Sequence, residues 1–130
     1  MEEKLSMLSE LIRLMRFDQD EQETEFNFIL SIAESMGVSS EQCAKLFNEY
    51  ADYVAPKYET ERIIQFQRLI LLANLDVEVS PREINFLQKA GMKLGLNPDA
   101  IQAVLNKMKE FPAGNIPPAD LMEIYKVYHN

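Results

Sequence analysis

At 130 residues, the chain has the length of one domain, and its 47% hydrophobic content is enough to build a core. The net charge of −8 argues against nucleic acid and anionic lipid as partners, because both attract basic proteins. A single cysteine, Cys43, excludes an internal disulfide and a cysteine-based zinc site. The lack of a basic leader or a long apolar run predicts a cytoplasmic protein with no direct membrane insertion.

The charge is uneven. Residues 1–60 carry thirteen acids against five bases, whereas residues 61–130 carry eight of each. Leu5, Leu8, Leu11, Ile12 and Met15 recur at three-to-four spacing and predict a first amphipathic helix. An acidic stretch follows, FDQDEQETEF from Phe17 to Phe26. Phe28, Ile32 and Met36 then form the stripe of a second helix, which Gly37 closes in the left-handed conformation. Ser39-Ser40-Glu41-Gln42 is a capping signature for a third helix, carrying Cys43, Leu46, Phe47 and Tyr50.

Ala55-Pro56-Lys57 marks a join, after which the pattern starts again. Glu61 to Asn74 is apolar on more than one side and predicts a buried central helix. Ser80-Pro81-Arg82-Glu83 supplies an N-cap, a proline at the first helical position and the reciprocal glutamate of a capping box. Phe86, Ala90 and Leu94 run to a stop at Gly95, and Asn97-Pro98-Asp99 starts a helix with Ile101, Val104, Leu105 and Met108. Phe111 to Pro118 reads as a loop, and Asp120 to Tyr128 as a last helix.

The halves superpose in sequence at a shift of 58 residues: Leu11 to Leu14 falls on Leu69 to Leu72, Asp18 on Asp76, Glu25 on Glu83, Asn27-Phe28 on Asn85-Phe86, and Gly37 on Gly95. Such self-similarity is one supersecondary unit built twice. The expected fold is all-α: a seven-helix single domain of two tandem three-helix repeats, about 1–54 and 57–111, plus a C-terminal helix at about 118–129. The two repeats are expected to pack together, because each is too small to bury its own stripes.

The order of apolar helix, acidic loop, capped helix, glycine and second cap resembles the TerB-like family of tellurite-resistance-associated proteins. The same helical fold occurs as a domain of membrane-anchored DnaJ-like co-chaperones. Asp76, Val79 and Glu83 match the family's loop pattern, with Val77 at its glycine; Asp18 and Glu25 match in the first copy, with Gln19 at the glycine. The resemblance covers roughly residues 5–110. It implies a stress-associated binding module whose acidic loops take up cations.

Neither Asp18 nor Asp20 starts an EF-hand. The sixth position falls on Glu23 or Glu25 and the twelfth on Ile29 or Ser31, where glycine and glutamate are required. Glu25 and Glu83 are explained as first-turn acids favoured by the helix dipole. Asp18 and Asp76 precede the caps, and helix initiation does not require them. On a twofold packing of the repeats, Asp18, Glu25, Asp76 and Glu83, with Asp20 and Glu78 beside them, would offer hard oxygen ligands for a weakly held Ca²⁺, Mg²⁺ or Mn²⁺. Arg13 and Arg16, in the preceding turn, would neutralise the loop instead.

His129 is next to last, and Cys43 lies on an apolar stripe, so no histidine-based dyad or triad is foreseen. Tyr50, Tyr53 and Tyr58 gather at the join, and Tyr125 and Tyr128 near the end; tyrosine suits packing and interfaces alike. The functional expectation is a non-enzymatic module for a protein partner in stress or envelope physiology. The alternatives are a metal-dependent hydrolase using the carboxylates, and a structural subunit that forms homo-oligomers.

Overall fold

The computed structural model describes residues 1–17, 22–75 and 79–128. Among these the protein contains seven α-helices, one 3-10 turn and no strand. The chain divides into two compact units, Met1–Pro56 and Lys57–Asn130. The division falls inside the Ala55-Pro56-Lys57 join.

In the first unit, α1 (Glu2–Phe17), α2 (Glu23–Ser35) and α3 (Ser40–Leu46) pack pairwise. Leu8, Leu11, Ile12, Ile29 and Cys43 are fully buried. The helix α1 departs from its amphipathic pattern: Ser6 to Ile12, Leu14 and Met15 are all buried. An extended strap after α3 accounts for this. The Ala51 N–H donates to Ser9 Oγ at 2.9 Å, and the Val54 N–H to Ser6 Oγ at 2.8 Å, so the serines that look solvent-facing lie under the strap. The helix α3 stops at Leu46, so Phe47 is its C-cap and Tyr50 lies beyond it.

In the second unit, α4 (Glu59–Ala73), α5 (Pro81–Lys93) and α6 (Pro98–Met108) follow the same order, and α7 (Pro118–Val127) packs on α6. The expected loop from Phe111 to Pro118 contains a 3-10 turn, Pro112–Gly114, packed against α4 and α6. Gly114 permits that approach. With φ +66, it lies where a Cβ would come within 2.5 Å of Asn74 Nδ2 and 3.1 Å of Ile70 Cγ2. Gln67 Nε2 donates to the Gly114 carbonyl at 3.2 Å, and Ile116 is buried beside it.

The repeat is geometric as well as sequential. Both α2 and α5 are 13 residues long, at the same 58-residue offset. Each ends in a Schellman motif. Gly37 and Gly95 have φ of 77° and 78°. Val38 N–H donates to the Ala33 carbonyl at 2.9 Å, and Leu96 N–H to the Gly91 carbonyl at 3.1 Å. A basic side chain lies near each of these helix ends: Lys4 Nζ donates to the Met36 carbonyl at 2.8 Å, and its counterpart Arg62, which donates to the Lys57 carbonyl at 2.8 Å, lies beside Gly95.

Candidate functional site

Four of the six candidate ligands, Asp18, Asp20, Asp76 and Glu78, lie outside the described residues, as does His129. The other two occupy equivalent places. Glu25 and Glu83 stand at the third position of α2 and α5 and are only 6% and 5% exposed.

Glu83 is held by a complete capping box. Its Oε1 accepts from the Ser80 N–H at 3.0 Å, and Ser80 Oγ accepts from the Glu83 N–H at 3.1 Å. One carboxylate oxygen is thus used to start α5, while the charge sits on the positive end of the helix dipole. The first copy has no such box: Gln22 is the N-cap of α2 and its side chain makes no capping bond. Ser39 and Asn97 cap α3 and α6 as their sequences indicate.

The arginines expected to face the acidic loop have aromatic partners. Arg13 lies over the Tyr50 ring, 4.3 Å from its centroid, and its Nε is 3.1 Å from Glu10 Oε2. Arg16 lies 5.3 Å from the Phe47 centroid and donates to Tyr50 Oη at 3.3 Å. Phe26, in the first turn of α2, packs on Phe47 with 5.1 Å between centroids. This cluster joins the end of α1, the start of α2 and the segment after α3. It gathers two cations, Arg13 and Arg16, over Tyr50 and Phe47. Sequence reasoning identified the arginines but assigned them no aromatic partner. The three-residue spacing of Phe47 and Tyr50 was the available signal.

No family model matches the chain, and no curated protein or solved structure matches it significantly.

Burial shifts several of the other ionisable groups. Burial pushes the Cys43 thiol up, which keeps it a neutral apolar side chain. Burial, with Glu10 nearby, pushes the Tyr53 phenol up to about 12. Burial and the charge of Glu59 drive Tyr125 higher still. Arg68 is lowered by desolvation, offset in part by Glu61. It donates to Oε1 of Gln65 at 3.4 Å; Gln65 is a fully buried amide where the first copy has Met7.

Grooves open on the first unit among the described residues. One, of about 530 Å³, follows the α2–α3 corner past Leu30, Glu34, Gly37, Val38, Ser39 and Ser40. Another, of about 240 Å³, lies along the strap between Glu2, Leu5, Ala51, Asp52 and Val54. Among the described residues, no three of His, Cys, Asp and Glu gather as a metal-binding group. No helix among them is long and apolar enough to cross a membrane.

Proposed function

We propose that this chain is a non-enzymatic helical binding module of the TerB-like type, acting in the cytoplasm on a protein partner in stress or envelope physiology. The acidic loops before α2 and α5 would add a weak divalent-cation site. One observation carries the reading. The element built twice is a corner, in which a buried glutamate stands at the third helical position after an acidic stretch of sequence and a glycine-closed helix leads to a second cap.

Burial holds Cys43 and Tyr53 neutral, which disfavours these two as nucleophile or general base. Calorimetry and thermal shift with Ca²⁺, Mg²⁺ and Mn²⁺ test the cation component. Stabilisation by at least one ion is expected, and its loss in Asp18→Asn/Asp76→Asn. No heat and no shift with any of the three would dispose of the site. Affinity capture from the source cells, with and without a chelator, tests the partner. A protein retained by the wild type and released by the double variant or by the chelator is expected; equal retention throughout would disconnect the loops from binding.

A further inference from the structure

We propose that the α2–α3 groove of the first unit binds a short basic segment of the protein partner, one that sets an apolar side chain in the groove and lysine or arginine along its rim. This rests on the reading of the chain as a binding module and not on its cation site. The two copies differ at this place. In the second, an amide chain spans the exposed face of α5 and α6: Gln88 Nε2 donates to Gln102 Oε1 at 3.3 Å, and Gln102 Nε2 to Asn106 Oδ1 at 3.1 Å. At the 58-residue offset the first copy has Leu30, Ala44 and Asn48. A leucine and an alanine cannot make that bridge, so the gap between α2 and α3 stays open. Leu30 lines the resulting groove of about 530 Å³, with Glu34, Gly37, Val38, Ser39 and Ser40. Ala44 stands one helical turn beyond Ser40, on the same face of α3.

The size of the groove sets the footprint, and its charge sets the occupant. From Leu30 to Gly37 it follows about 10 Å of α2, room for one apolar anchor and its immediate neighbours. Helix α2 carries three acids and no base, whereas α5 carries one acid and three bases, Arg82, Lys89 and Lys93. The counterparts of those bases are Thr24, Ser31 and Ser35. One frame is thus acidic where it is open and basic where it is bridged. Glu34 lies in the groove wall and Glu41 follows Ser40, both exposed. The end of α2 also favours a cation. Its carbonyls form the negative pole of the helix, its last turn holds no basic residue, and the Met36 carbonyl already accepts from Lys4 Nζ at 2.8 Å. A basic segment is drawn to this rim, and an acidic one is repelled.

Selection of random phage-displayed dodecapeptides against the full chain, followed by fluorescence anisotropy of the enriched peptides, tests the proposal. Convergence on a leucine, isoleucine, methionine or phenylalanine flanked by lysine or arginine is expected. Leu30→Gln/Ala44→Gln restores the amide bridge, with Asn48 already in place, and should weaken binding about 10- to 100-fold. Glu34→Lys/Glu41→Lys changes only exposed side chains and should weaken it about 10-fold, and the wild-type affinity should fall as salt is raised. Thermal unfolding checks that both pairs fold; should the glutamine pair fail to, the lysine pair decides. Gln88→Leu/Gln102→Ala, in the second unit, should leave binding unchanged. Selection without convergence, convergence on acidic peptides, or basic peptides that bind both groove variants as tightly as the wild type would each overturn the proposal. In the last case the peptides bind elsewhere, and the reading as a binding module stands without this groove. Concentration-dependent self-association lost in the same variants would overturn it too, making the basic α5 of a second copy the occupant.

Discussion

Gly91→Ala sets helix propensity against packing, and the structure decides which wins. In α5 alanine is favoured over glycine by about 1 kcal/mol. The added Cβ, however, would lie 2.8 Å from Ile101 Cδ1, 2.9 Å from Ile101 Cγ1 and 3.1 Å from Phe66 Cε1. Both side chains are almost fully buried, at 2% and 1% exposure, so neither can turn into solvent. Overpacking of this kind costs about 1–3 kcal/mol. With two immobile neighbours the upper part of that range applies, leaving a net loss of about 1–2 kcal/mol after the propensity gain. Urea denaturation monitored by circular dichroism measures it.

The first copy shows how the clash is avoided, since Ala33, Cys43 and Leu8 stand where the second has Gly91, Ile101 and Phe66. Volume has moved from one helix to its neighbours. Ile101→Val removes the closest atom and alone costs about 0.5–1.5 kcal/mol. In the Gly91→Ala background it should cost nothing, a coupling of about 1 kcal/mol. If Gly91→Ala proved stabilising by the propensity gain alone, or the double variant were additive, the packing argument would be refuted.

Three further outcomes follow from the same coordinates. Ser80→Ala removes the hydroxyl that accepts from Glu83 N–H and should destabilise by about 1 kcal/mol, measurable by the same denaturation. Tyr53 is raised in the fold from 10 to about 12, so the neutral phenol is favoured there. Its contribution is full below pH 10 and is lost as pH rises from 10 toward 12, by at most about 1.4 kcal/mol per pH unit. Denaturation midpoints across that window, compared with Tyr53→Phe, check the sign; a midpoint that falls as steeply in the variant would contradict it. Cys43, with no exposed surface and a raised pKa, should resist thiol reagents in the native protein and react fully once unfolded. Rapid native labelling at neutral pH would be incompatible with this burial.

Much of the helical frame was legible because its punctuation is local. Ser80-Pro81-Arg82-Glu83 fixes the start of α5 through bonds within one turn, and Gly37 and Gly95 fix helix ends through one dihedral angle. The 58-residue shift carried the reading from one copy to the other. Features that depend on distant partners were not legible. Ser6 and Ser9 sit under a strap more than 40 residues away in sequence. The 3-10 turn contains a left-handed alanine and packs Gly114 close against Asn74.

Of the site, the places of Glu25 and Glu83 at their helix starts could be read from capping rules. The stacking of Arg13 and Arg16 on Tyr50 and Phe47 required the return of the chain after α3. Asp18, Asp20, Asp76 and Glu78 remain a matter for the ion titrations, since they lie outside the described residues.

The fastening of residues 51–56 to α1 is blind to side-chain identity. Its two hydroxyls receive main-chain amides, which almost every residue type supplies in the same form. Drift at positions 51 and 54 should therefore be tolerated as far as these two bonds go, with proline the exception because it has no N–H to give. The join can thus change its surface chemistry, and so its choice of neighbour, without losing its hold on the helix beneath.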